Sequence, residues 1–290
     1  MVFRCLETHS HARVRVVVGI VMLCAVVAAA TADEMKYPLS LAATLDGDLY
    51  VADRSLPGVW KIIDGKPEVF FQGSKKFRTP LNAIRCLSID NKGKLLAGDS
   101  STRQVYRFDD HARPNPLVTT AIGLGIPMSI VVDRRGTLFV ADLETHRIWK
   151  IPAAGGKPVE FAAVRAPHGL TLDAAGRLWV VSHGKNQLLR ISADGKIESI
   201  VRGRPFSFPH EVVVDKQNVA YVSDGYAKTI WKIDASGTPK KWITGKPLVN
   251  PVGLAWQGKT LIIVDPHAKT VFAADAEGTL TTVASAKAKD

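Results

Sequence analysis

The side chains in this chain best suited to chemistry are a group of histidines, one tyrosine and one arginine. His168 and His210 each follow a proline that opens an apolar run, in Pro167-His-Gly-Leu-Thr-Leu and Pro209-His-Glu-Val-Val-Val. His183, Tyr226 and His267 follow a second kind of phrase, as does Arg54. Neutral imidazoles on adjacent strands can ligate a metal, or one can act as a general base near neutral pH. The Tyr226 hydroxyl can donate a proton or hold an oxyanion, and Arg54 can clamp a carboxylate bidentately. The alternative for each His is a bond to backbone or water in a polar channel. The pair His168 and His210 tips toward function, because both copies depart from their repeat in the same direction. His111 and His146 read as surface residues in loops.

These residues are placed by a repeat. The phrase Leu49-Tyr-Val-Ala-Asp53 returns as Leu95-Leu-Ala-Gly-Asp99, Leu138-Phe-Val-Ala-Asp142, Leu178-Trp-Val-Val-Ser182, Ala220-Tyr-Val-Ser-Asp224 and Leu261-Ile-Ile-Val-Asp265. The period is roughly 40–45 residues, which is that of a β-propeller. Each copy starts with a Pro-X segment and an apolar stretch. Turns such as Asp133-Arg-Arg-Gly136 and Asp173-Ala-Ala-Gly176 suit Asp and Gly chemistry. A third run, such as Val59-Trp-Lys-Ile or Ile148-Trp-Lys-Ile, and a fourth complete the copy. Short β-branched and aromatic runs between Gly, Pro and Asp read as strands. The chain is therefore expected to be all-β: a six-bladed β-propeller of four-stranded antiparallel blades, closed without strand exchange. The expected blades span about 37–73, 79–121, 126–164, 166–203, 208–245 and 250–286.

Propeller geometry puts the Pro-X residues and those after the repeated phrase on one rim. The Pro-X set is Leu39, Leu81, Met128, His168, His210 and Val252, with Asn82, Ser129 and Glu211 one step further along. The repeated strand-end Asp reads as a carboxylate accepting backbone N–H groups from the following loop. The large residue at Trp60, Tyr106, Trp149, Leu189, Trp231 and Phe272 reads as packing between blades. Lys61, Arg107, Lys150, Arg190 and Lys232 recur at one position and read as blade-edge charge. Gly123-Leu-Gly125 lacks the spacing of a nucleotide loop.

Residues 1–32 stand apart, with Arg4, Arg13 and Arg15 before an apolar run from Val16 to Ala30 and small residues at Ala30-Thr-Ala32. They read as a secretory signal peptide, leaving residues 33–290 as the propeller in the periplasm or outside the cell. A membrane anchor is the alternative, but the run is short for a span. The chain carries a net charge of +11. Export makes nucleic acid an unlikely partner and leaves an acidic small ligand or an anionic envelope polymer. Cys86 is the single cysteine after the leader, so no internal disulfide is expected; it reads as a small core residue.

The unit Pro167-His-Gly-Leu-Thr-Leu-Asp…Gly176-Arg-Leu-Trp-Val-Val resembles an NHL repeat. Such repeats belong to a superfamily of six-bladed propellers with gluconolactonase-like hydrolases, the virginiamycin B lyase group and peptidyl-hydroxyglycine amidating lyases. The resemblance to amidating lyases implies zinc-binding His in Pro-His segments, here His168 and His210, and a catalytic Tyr in Ser223-Asp-Gly-Tyr226. That family uses three His ligands; this chain has no third Pro-His, so His183 or His267 would complete a set. Gluconolactonase-like enzymes use the Asn of a Pro-Asn-Gly segment for their metal. His168 replaces that Asn, which favours a nitrogen-ligated, zinc-like divalent ion over calcium or magnesium. The expected function is a metal-assisted lyase or lactonase-like hydrolase acting on a small molecule. His168, His210 and His267 would hold the metal, while Tyr226, Arg54 and His183 would do the chemistry. The alternative is a non-catalytic scaffold binding a protein or an envelope polymer; under either reading the chain is expected to be a monomer.

Overall fold

In the computed structural model, residues 34–119 and 124–286 are described, and the expected signal peptide lies outside them. Blade one comprises β1 (Pro38–Ala43), β2 (Leu49–Asp53), β3 (Gly58–Ile63) and β4 (Lys66–Gln72). Blade two follows with β5 (Ile84–Ile89), β6 (Leu95–Asp99), β7 (Gln104–Phe108) and β8 (Pro114–Pro116). Blade three holds β9 (Pro127–Val132), β10 (Leu138–Asp142), β11 (Arg147–Ile151) and β12 (Val159–Ala163). Blade four holds β13 (Pro167–Leu172), β14 (Leu178–Ser182), β15 (Leu188–Ile191) and β16 (Ile197–Val201). Blade five holds β17 (Pro209–Val214), β18 (Ala220–Asp224), β19 (Thr229–Ile233) and β20 (Pro239–Thr244). Blade six holds β21 (Gly253–Gln257), β22 (Thr260–Asp265), β23 (Thr270–Ala274) and β24 (Leu280–Ser285). Each sheet uses four consecutive antiparallel strands, so no strand is exchanged between the chain ends. None of the described residues is helical, and no helix among them is long and apolar enough to cross a membrane.

Burial explains the pattern of residues. The second strands are covered on both faces by neighbouring blades, and β10, β14 and β18 are buried throughout. A strand sandwiched this way reads as a continuous apolar run. Outer strands such as β4 and β20 are mostly exposed or half-buried. The core is divided into clusters between adjacent blades. One joins Trp60 and Leu41 of blade one to Ile262, Val264 and Val271 of blade six, and this closes the ring. Met35, just ahead of β1, is fully buried in the same cluster. The recurring cations of the third strands lie across from aromatic residues of the second: Lys61 over Tyr50, Lys150 over Phe139, Arg190 over Trp179 and Lys232 over Tyr221. Their charge is thus used within each blade.

The strand-end aspartates hold the blades' loops. Asp142 is fully buried and accepts N–H groups from Gly125 (2.8 Å) and Ile126 (3.0 Å) before β9, and from Glu144 (3.1 Å) after β10. Trp149 Nε1 donates to it as well, at 3.0 Å. Asp53 repeats this with Lys36, Tyr37, Ser55 and Trp60 Nε1. The expected role in the following loop is therefore wider: the carboxylate also pins the loop that precedes the blade. In copy four Ser182 takes the place of Asp, and Leu189 that of the Trp. Ser182 Oγ donates to Arg165 O at 2.7 Å and accepts from Gly184 N at 2.9 Å.

One register differs from the sequence reading. In blade two the first strand begins at Ile84, paired with Asp99, as Pro127 and Pro209 pair with Asp142 and Asp224. Pro80-Leu81 lies in the preceding loop, where Leu81 N donates to Asp99 at 3.1 Å and the Leu81 side chain is buried. The channel residue of this blade is therefore Arg85, not Leu81.

Removing an Asp clamp strands several buried donors at once, and each unsatisfied donor costs about 1–3 kcal/mol. Asp142→Ala is expected to cost on the order of 3 kcal/mol or more, whereas Ser182→Ala costs about 1 kcal/mol. Thermal melting of the two variants should show this gap; equal losses would refute the clamp.

Candidate functional site

The pairing of each first-strand start with a second-strand end puts both on one rim of the ring. At the channel position the inner strands of blades one to five supply Leu39, Arg85, Met128, His168 and His210, and blade six supplies Val252 just ahead of β21. These residues line one cavity of about 340 Å³, with Phe208, Leu143 and Ile126 on its wall and Glu211 and Gly253 deeper along their strands. The ladder is interrupted where the channel residue leaves the strand: pairing skips Leu39, Arg85 and Met128 in blades one to three. In blades four and five it skips two residues, His168-Gly169 and His210-Glu211. The irregularity is shared by these blades and turns a side chain of each toward the channel.

Aromatic packing joins the histidines. The rings of His168 and His183 stack in parallel, 4.1 Å apart and 3° from coplanar. His183 Nε2 lies 2.7 Å from Pro209 O. A carbonyl only accepts, so Nε2 of His183 carries the proton. Phe208 is the hub: its ring is 4.6 Å from His183, 5.0 Å from His210 and 4.8 Å from Tyr226. Burial, reinforced by the neighbouring His183 and His210 rings, lowers the His168 pKa to about 3. Burial and His183 lower that of His210 to about 4. Burial also lowers His183, against the opposing pull of its Pro209 bond. Both cavity imidazoles are therefore neutral at physiological pH.

Glu211 lies where Gly169 makes room for it. A Cβ on Gly169 would come within 2.3 Å of Glu211 Oε1 and 2.5 Å of Glu211 Cα. Val212 N donates to Oε1 at 3.1 Å. Glu211 lines the cavity and keeps part of its surface open to the channel, while the strands packed around it desolvate its carboxyl group. Burial raises its pKa to about 8, opposed by bonds from the Val212 and Leu170 amides and Ser129. At neutral pH the group is mostly a carboxylic acid. Across the cavity, Arg85 Nε donates to Ser100 Oγ at 3.1 Å. Burial and the nearby Arg54 lower the Arg85 pKa, and an arginine still remains charged.

Of the residues singled out from the sequence, His168, His183 and His210 come together. Tyr226 stacks on Phe208 at the outer edge and is 71 % exposed. Arg54 is exposed and does not line the cavity. His267 is exposed and meets Tyr37 edge-on, with centroids 6.0 Å apart. Among the described residues, no three His, Cys, Asp or Glu side chains are arranged to hold a metal ion. His111 and His146 are exposed, and His146 Nδ1 accepts Ala166 N at 3.1 Å. Cys86 is buried, and burial pushes its thiol pKa up. Arg85 and Phe208 escaped the sequence reading. The spacing from strand start to strand end shared by copies one, three, four and five, counted back from Asp99, lands on Ile84-Arg85.

The fold has well-matched counterparts among solved structures. The virginiamycin B lyase of Staphylococcus aureus superposes with a TM-score of 0.67 at 18% identity, over 86% of this chain and 85% of that one. A gluconolactonase from Xanthomonas campestris gives 0.67 at 16% identity, over 86% and 87%. A chain of a nidogen/laminin complex gives 0.67 at 17% identity, over 84% and 92%. This is the fold of the six-bladed lyase and lactonase propellers. A curated relative, a probable peptidyl-alpha-hydroxyglycine alpha-amidating lyase of Caenorhabditis elegans, is 40% identical over 81 residues, 24% of this chain. The match spans 23% of that relative's length. No family model matches the chain.

The shifted groups act oppositely on stability. His168 and His210 titrate lower in the folded chain than their ordinary 6.5, so the unfolded chain binds more protons below that pH. Their contribution is lost as pH falls from about 6.5 toward 4. Glu211 is raised from its ordinary 4.5 to about 8, so its contribution is present at low pH and is lost as pH rises through that window. Urea unfolding of Glu211→Gln between pH 5 and 8 should show a flatter decline on the alkaline side than the parent protein. A parallel offset at every pH would refute the raised carboxyl.

Proposed function

We propose that this chain is an exported propeller that binds a small molecule at the channel mouth and acts on it as a lyase or lactonase-like hydrolase. The observation that carries this reading is the convergence of Arg85, His168, His210 and Glu211 on one cavity of about 340 Å³. That volume lies in the range of small-molecule sites. Perturbed titratable groups gathered in a cleft are a mark of functional sites. Glu211, protonated at neutral pH, would donate a proton to a leaving oxygen. The neutral imidazoles would accept hydrogen bonds and orient the substrate, since their depressed pKa values make them weak bases. Arg85 takes the anion-orienting role that the sequence reading gave to Arg54. A zinc-like ion would have to bind through His168 and His210, because His183 stacks flat on His168 with its Nε2 on Pro209 O and His267 lies outside the cavity. That set does not fit a three-histidine centre. Export rests on the leader-like composition of residues 1–32.

A scaffold reading has one observation in its favour. Tyr226 is spread on the open face rather than turned into the cavity. The nidogen/laminin complex is a propeller engaged with another protein.

Turnover assays on gluconolactone and on a peptidyl-alpha-hydroxyglycine substrate, with metal analysis of the same preparation, separate the two readings. Activity that falls about 10²–10⁴-fold in Glu211→Gln at unchanged melting temperature fits a general acid. If no lactone or hydroxyglycine peptide is turned over and His168→Ala leaves ligand binding intact, the enzyme reading is wrong.

A further inference from the structure

Arg85 is the one cation on the cavity wall, and among the described residues it forms no ion pair. Its Nε donates to the Ser100 hydroxyl, which is uncharged. The buried Asp99 carboxylate lies near enough to favour the charge of Arg85, but its oxygens are taken by Leu81 N, Ala83 N, Ser101 N and Thr102. The half-buried guanidinium therefore lacks a bonded counter-ion, which is costly unless a ligand supplies one. Glu211 shares the cavity floor, but its Oε1 accepts from the Val212 amide. The other channel positions nearby hold the Cys86 thiol and the Ser40 and Ser129 hydroxyls; none of these is an anion that faces Arg85.

The surrounding rim points the same way. Arg54, Arg165, Lys185, Lys228 and Lys269 are exposed on the loops at this end, and none of them is ion-paired. One pair at this rim, Arg103–Glu144, is neutralised. The remaining exposed cations of the rim favour the approach of an anion to the mouth. The rest of the cavity wall is apolar, with Leu39, Met128, Val252 and Phe208.

We propose that the ligand is a small organic anion with an apolar body, bound with its carboxylate in the fork of Arg85. This rests on the channel mouth being a small-molecule site. A planar guanidinium matches a carboxylate with two parallel hydrogen bonds, and the apolar wall takes the body. The rim cations raise the local concentration of such a ligand without specifying it.

Titration calorimetry with phenylacetate and its neutral counterpart phenylacetamide tests this. Phenylacetate should bind, and phenylacetamide should bind at least about tenfold more weakly. Arg85→Gln should remove that preference, and Arg85→Lys should weaken phenylacetate binding because the fork is lost while the charge remains. Lys185→Gln, outside the cavity, should change binding by less than about twofold at physiological salt. If Arg85→Gln does not melt like the parent, Arg85→Lys decides. Equal binding of acid and amide, no binding of either, or binding only of a polyanion such as polyglutamate would each overturn the proposal. Binding of phenylacetate without turnover of any substrate supports the anion site and counts against the enzyme reading alone.

Discussion

Everything at the channel mouth depends on the buried carboxylate at the end of each second strand. Asp53, Asp99, Asp142, Asp224 and Asp265 are fully buried. Each draws backbone N–H groups from two separate loops, one before the first strand and one after the second. Asp224, for example, accepts from Ser207 and Phe208 on one side and from Ala227 on the other. A backbone amide has few ways to satisfy itself once buried, so these bonds set where each inner strand begins. The residue beside that starting point is the one that enters the channel. The rim is thus defined by hydrogen bonding, and its chemistry is defined by whichever side chain follows the anchored start.

Copy four shows what happens when the clamp is changed. Ser182 replaces the Asp and Leu189 replaces the aromatic residue whose ring nitrogen would have reached it. The next loop is held independently of this change: Gln187 donates to Phe206 O at 3.1 Å and accepts from Phe206 N at 2.8 Å, as Gln104 holds Val118 beside the intact Asp99. His183 follows directly and stacks on His168. The departure at one structural position and the gathering of imidazoles at the next are therefore parts of one local arrangement. Phe208, anchored through Asp224, then links that pair to His210 and Tyr226.

The blades were legible because a period of repeated strands survives any uncertainty at strand ends. The inner ring was legible wherever a proline marked the start, which is why His168 and His210 could be placed. Blade two misled because Pro80 mimics that mark within the loop, and the true start is Ile84. The strand-end Asp was the better ruler, since its carboxylate physically sets the register. His267 misled for a smaller reason. Pro266 occupies the position directly after Asp265, so the histidine falls one residue later and turns outward. The ring stacking of His168 on His183 and the enclosure of Glu211 depend on side-chain directions across two blades, which no single stretch of sequence carries.

The notch at Gly169 limits where the mouth can be altered. Blades one and three carry Ser40 and Ser129 at this position, while blade four has no side chain. A Cβ there would lie 2.5 Å from Glu211 Cα and 2.8 Å from His210 O, so the backbone of blade five, and not only the carboxyl group, occupies the space. Position 169 is therefore closed to any side chain whatever residue stands at 211. New chemistry can enter this part of the floor through blade five but not through its neighbour.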